Sequence, residues 1–134
     1  MSAERPSAET GPRVVVLADD IIWATRLLDG VRRAGGDPVA ARTLAAFDAG
    51  IPSADGALVD LTARAYDGLV AVAHATAAGV PAIAVGQHDD VPQRTAAKAA
   101  GASRVHAYRA LFDHGDRELT TWLTAHRATK EDDR

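Results

Sequence analysis

Arg13-Val14-Val15-Val16-Leu17-Ala18-Asp19-Asp20 is the stretch on which the reading of the chain turns. An unbroken apolar run, Val14 to Ala18, leads straight into two neighbouring carboxylates. A short β-branched run ended by a break in polarity fits a strand buried on both faces of a parallel sheet. Open α/β sheets place their ligand crevice at the carboxyl ends of such strands. Two like charges crowded there are costly unless a cation or a donor shares the site. Asp20 also stands where a helix N-cap would stand, which leaves Asp19 to solvent. Both readings stay open on the sequence.

Outward from this stretch, Ile21, Ala24, Leu27, Leu28 and Val31 repeat at helical spacing until Gly35-Gly36. Pro38 to Arg42 reads as a short second strand, and Thr43 to Phe47 as a brief helix before Gly50. Gly56-Ala57-Leu58-Val59-Asp60-Leu61 is a third strand that again ends on a carboxylate. A loop to Asp67-Gly68 opens a helix through Leu69, Val70, Val72 and Ala73 to Gly79. Val80 to Gly86 is a fourth strand, with Pro81 at its start, where a missing N–H is tolerated. The loop Gln87-His88-Asp89-Asp90 leads into a helix opened by Pro92 and closed by Gly101. Ser103 to Tyr108 makes a fifth strand, and Leu119, Trp122, Leu123 and His126 mark a last helix.

Strands alternating with helices predict a flavodoxin-like (βα)5 sandwich with a parallel sheet of order 2-1-3-4-5. Residues 1–12 read as a disordered leader, 13–127 as one domain and 128–134 as a charged tail.

Composition narrows the function. Of 134 residues, 47% are hydrophobic but only 4% aromatic, so the core is built from small aliphatic side chains. A net charge of -3 gives no basic surface for nucleic acid or anionic membrane. The absence of cysteine removes disulfides, thiolate catalysis and cysteine–zinc sites together. The opening Met1-Ser-Ala-Glu-Arg-Pro lacks the apolar core of a secretory signal. Leu69 to Gly86 carries no formal charge, but Gly79 and Pro81 divide it into helix, turn and strand. A cytoplasmic location is the expectation.

In the 2-1-3-4-5 order, strands 1 and 3 are neighbours at the switch point, which would bring Asp19, Asp20 and Asp60 together. Phosphate-binding versions of such sheets need glycine or hydroxyl residues in the first loop. Here that loop is Ala-Asp-Asp-Ile-Ile-Trp, which excludes a nucleotide or flavin phosphate at this position. Carboxylates suit Mg²⁺, which takes few protein oxygens and keeps several waters. A cation beside Asp60 would support chemistry in which that carboxylate takes a phosphoryl group.

On these residues the chain resembles response-regulator receiver domains. Asp19-Asp20 matches the family's acidic pair, Asp60 its phosphoacceptor, Asp67-Gly68 the offset that follows, and Ala100-Gly101-Ala102 the turn before strand 5. The resemblance implies Mg²⁺ held weakly by Asp20, Asp60 and the backbone carbonyl of Thr62, with Asp19 acting through water. It also exposes losses. The family's hydroxyl at the end of strand 4 is Gly86, its switch aromatic is Val105, and its lysine is Tyr108, followed by Arg109. The acidic half of the site is kept and the phosphate-sensing half is missing. This is the pattern of atypical or pseudo-receivers, which serve as partner-binding platforms.

The expectation is therefore a stand-alone receiver-like domain of a two-component phosphorelay, not an enzyme beyond phosphorylation and dephosphorylation of its own Asp60. Its partner, a histidine kinase or an output protein, would dock in trans through Arg94, Lys98, Arg104 and Arg109, and self-association as a homodimer is the other route to an output. The competing enzyme reading is a small metal-assisted phosphohydrolase built on the same carboxylates, with His88 as its remaining polar group. Trp23 and His88 would line the pocket rim, although Trp23 also suits packing at a helix edge. His74, His106, His114 and His126 show no metal-ligand spacing.

Overall fold

The computed structural model describes residues 11–87, 89–107 and 119–124. Five parallel strands form one sheet in the order β2-β1-β3-β4-β5, as the alternation predicts. They are β1 (Arg13–Leu17), β2 (Asp37–Ala41), β3 (Gly56–Asp60), β4 (Ala82–Gly86) and β5 (Arg104–Ala107). Between them lie the helices α1 (Ile21–Arg33), α2 (Leu44–Gly50), α3 (Gly68–Ala77) and α4 (Val91–Ala99). A 3-10 turn at Ile51–Ser53 follows α2, and residues 119–124 are helical. The expected leader, apart from Gly11 and Pro12, and the charged tail lie outside the described residues. So do His88, Tyr108, Arg109, His114 and His126.

The sheet has two faces because side chains alternate along each strand. Val15, Leu17, Val59 and Ala84 point to one face and pack with Phe47, Ala71, Val72 and Ala97 from α2, α3 and α4. Val14, Val16, Leu58 and Ile83 point to the other and pack with Leu27 and Val31 of α1 and with Leu119, Trp122 and Leu123. Every residue of β3 and β4 is buried, which is why both read as continuous apolar runs. The outer strand β2 is only half-buried, and Pro38 sits there at an edge that tolerates a missing donor.

Helix ends follow local chemistry. Asp20, Thr43, Asp67 and Asp90 each accept a hydrogen bond from a backbone N–H in the first turn of α1, α2, α3 and α4. Helix α1 stops at Gly35, which takes φ +96°, with Gly36 N–H donating to the Val31 carbonyl. Gly79 ends α3 in the same way, with Val80 N–H donating to Ala75. That bond removes Val80 from the fourth strand, which starts at Ala82 rather than Val80.

One residue of the α1 stripe departs from expectation. Ile21 shares the helical spacing of Ala24, Leu27, Leu28 and Val31, yet it is 66% exposed, and Ile22 beside it is 65% exposed. Both lie in the first turn, beyond the last strand residue Leu17, where no neighbouring element among the described residues covers them. The buried stripe begins further along, at Leu27. No described helix is long and apolar enough to cross a membrane.

Candidate functional site

Asp60 is the last residue of β3 and is 1% exposed, the one buried charged or polar residue among those described. A buried carboxylate needs donors, and the next residues of the chain supply them. Its Oδ1 accepts from the backbone N–H of Thr62 at 2.9 Å and from the Thr62 hydroxyl at 2.8 Å. Charge-assisted bonds of this kind are about twice as strong as neutral ones.

The loop between β3 and α3 is stitched over the strand ends at three further points. Ala65 N–H donates to Asp19 Oδ2 at 3.2 Å. The Tyr66 hydroxyl lies 2.8 Å from the Asp60 carbonyl and 3.0 Å from the Leu17 carbonyl, so its one proton serves the ends of both β3 and β1. Asp67 then caps α3 through Leu69 N–H. On the other side of the mouth, Arg42 donates to the carbonyl of Asp19 at 3.1 Å.

The three carboxylates singled out by the sequence thus have three different occupations. Asp20 is exposed and caps α1, accepting from Trp23 N–H at 3.1 Å. Asp19 is half-buried rather than left to solvent, and ties β1 to the loop after β3. Asp60 is held by Thr62. Among the described residues no group of three or more His, Asp or Glu side chains is placed to hold a metal ion. The side chains therefore do not fit the three-carboxylate cation site in this arrangement. Backbone N–H groups and the Thr62 hydroxyl donate to one oxygen of each of these carboxylates.

Gly86 ends β4 and is buried. Added at this position, a Cβ would lie 2.9 Å from Gln93 Oε1 and 3.5 Å from Leu61 Cδ1. The place of the missing hydroxyl is therefore filled by neighbours. Val105 is buried in β5, an aliphatic where the resemblance implies an aromatic switch. Trp23 packs against the α1-side core, with the Arg26 guanidinium 5.2 Å from its ring centroid, so its contacts are those of a helix-edge residue. Arg94 and Lys98 lie one turn apart on α4, and Arg104 opens the adjoining edge strand β5. His74 pairs with Asp48 at 3.0 Å, joining α3 to α2.

No protein-family model matches the sequence, and no curated protein matches it. Solved structures do match. The receiver domain of a sensor histidine kinase from Pseudomonas aeruginosa, described with magnesium coordinated in its active-site cleft, superposes with a TM-score of 0.73. It is 19% identical, over 86% of this chain and 99% of that one. The signal receiver domain of a modulated diguanylate cyclase from Desulfovibrio desulfuricans gives 0.68 at 22% identity, over 89% and 98%. A Francisella response-regulator receiver domain gives 0.71 at 17%, over 89% and 99%. The chain has the receiver-domain fold.

Two residues of this receiver-fold site escaped the sequence. Tyr66 is one of only two tyrosines in the chain, and that scarcity was its only signal. Gln93 stands three residues after the cap Asp90, a spacing that predicts a purely local role.

Proposed function

We propose that the chain is a signalling domain of the two-component type in which the receiver fold works as a protein-interaction platform. The observation that carries this reading is the state of Asp60. It is 1% exposed, with Oδ1 accepting two hydrogen bonds from Thr62. A nucleophilic carboxylate has to present a lone pair to the phosphorus atom, and those bonds lower its reactivity. Gly86 supplies no hydroxyl to stabilise the charge that develops on a transferring phosphoryl group. Phosphorylation of Asp60 from a kinase phosphohistidine is then a minor activity, reached only when the Thr62 loop opens.

Mg²⁺ is held weakly on this reading by Asp20, Asp60 and the Thr62 carbonyl, because the Thr62 N–H and hydroxyl already share one of the Asp60 oxygens. The partner docks in trans on the side of α4 and β5, where Arg94, Lys98 and Arg104 offer positive charge to an acidic surface. Self-association through this face is the same chemistry with a second copy. The setting is the cytoplasm, where such partners reside. The phosphohydrolase alternative requires a cluster of metal-holding side chains, and the described residues bring no such group together.

The test is intact-mass measurement after incubation with an acyl phosphate and Mg²⁺, beside an Asp60→Asn control. The platform reading expects little or no adduct in either protein. Near-stoichiometric labelling that disappears in the control would mark a working receiver instead, and sustained release of phosphate from an ester would mark the enzyme.

A further inference from the structure

Asp90-Val91-Pro92-Gln93 has the spacing of a capping box, in which the cap side chain and the third residue after it serve each other's backbone. Only half of it forms. Asp90 Oδ1 accepts from Gln93 N–H at 3.1 Å, but the Gln93 side chain does not return the bond. Asp90 N–H donates to the Gln87 carbonyl at 3.3 Å instead. Gln93 turns across to another element and donates from Nε2 to the Leu61 carbonyl at 3.0 Å. Its Oε1 is left buried without a hydrogen-bond partner. A side chain that gives up a local bond and strands an acceptor is committed to the tertiary contact it makes.

The target of that contact is already held from the other side. Leu61 N–H donates to the Val85 carbonyl of β4 at 2.8 Å, so both backbone groups of Leu61 are gripped, one by β4 and one by α4. Gly86 leaves room for this arrangement, since a Cβ there would stand 2.9 Å from Gln93 Oε1 and the end of the glutamine side chain would have to move aside. Leu61 is the first residue of the loop whose next members bind Asp60, Asp19 and the strand ends.

We propose that Gly86 and Gln93 form a built-in latch, in which the Gln93 amide fills the space over the end of β4 and fixes the β3–α3 loop to α4 in a single state. The inference rests on the platform reading and deepens it. The bond joins the loop to α4 through a backbone carbonyl and an uncharged amide, so the latch ties them whether or not Asp60 carries a phosphoryl group. Gly86 is then one half of the latch, since its lack of a side chain leaves the space that the glutamine amide fills.

The test uses the full chain without any phosphoryl donor, so its outcome is separate from whether Asp60 can be labelled. Amide hydrogen exchange is followed in the wild type, in Gln93→Ala, and in Gln93→Met, which keeps the volume but has no donor. The latch predicts that the amides of Leu61, Thr62 and Ala65 exchange at least tenfold faster in both variants, while those of β1 and β2 are unchanged. Unchanged exchange in Gln93→Met would overturn it, because space-filling alone would then hold the loop. A second measurement does not depend on the loop amides. Gly86→Ala should shift the urea midpoint in the wild type, and by less than half as much on the Gln93→Ala background. Equal shifts on the two backgrounds would also overturn the latch.

Discussion

The hydroxyl of Thr62 donates to Oδ1 of Asp60 at 2.8 Å, beside the bond from its own backbone N–H at 2.9 Å. A residue two places along the chain thus satisfies a carboxylate that burial would otherwise leave without water. Thr62→Val keeps the shape and the backbone bond and removes the hydroxyl. It is expected to cost roughly 1.5–3 kcal/mol, the range for a hydrogen bond to a charged group. Urea denaturation reads this directly, and a loss below about 0.5 kcal/mol would mean that Asp60 does not depend on the hydroxyl.

Tyr66 joins the two central strands at their ends through one proton shared by the Leu17 and Asp60 carbonyls. Tyr66→Phe keeps the ring and should lower stability by about 0.5–1.5 kcal/mol. Its more specific signature is local: the Ala65 amide, which rests on Asp19, should exchange faster as the loop lifts. Hydrogen exchange beside a denaturation curve checks both.

Asp20 separates two roles cleanly. As the cap of α1 it should tolerate Asp20→Asn, since asparagine caps as well as aspartate, whereas Asp20→Ala should cost about 0.5–2 kcal/mol. A site that needed its charge would be damaged by both changes alike. Thermal melts of the two variants, with and without Mg²⁺, distinguish the cases.

Mg²⁺ itself should stabilise the protein little. A ligand present at its own dissociation constant adds about 0.4 kcal/mol, which moves the midpoint of a domain this size by roughly 1–3 °C. Scanning calorimetry with millimolar Mg²⁺ is expected to show a shift no larger than that. A much larger rise would mean that the carboxylates let go of their backbone partners and gather around the ion.

Gly56 opens β3 directly beneath Trp122, and a Cβ there would lie 2.5 Å from the indole Cη2. Gly56→Ala should therefore destabilise by about 1–3 kcal/mol through overpacking. Most of that loss should vanish on a Trp122→Leu background. A double-mutant cycle by urea denaturation measures the coupling.

Much of this was written in the chain. Val14 to Ala18, Gly56 to Val59 and Ala82 to Gly86 are apolar because both faces of a central parallel strand are covered, and that requirement is visible residue by residue. Asp20 was legible as a cap because it stands directly before the first residue of the helical pattern. Ile21 was not, because periodicity records which way a side chain points around the helix and says nothing about whether anything stands opposite. How Asp19, Asp20 and Asp60 are oriented toward one another is a finer point that strand order does not specify. Strand order brings the ends of β1 and β3 side by side, but local donors act on one oxygen of each carboxylate, and no apolar pattern says which. Gln93 lay hidden because its spacing from Asp90 advertises a local bond that the side chain forgoes.

Val14, Val16, Leu27 and Val31 complete their packing only with Leu119, Trp122 and Leu123. During synthesis, then, α1 can cover its side of the nascent sheet only in part until residues 119–123 have been added, after the opposite side has all its helices. Segments that emerge in order can complete the α2–α3 side early, while part of the α1 side waits as exposed aliphatic surface. A ribosome stalled short of Leu119 would hold a half-closed chain, a natural client for a chaperone that recognises apolar surface.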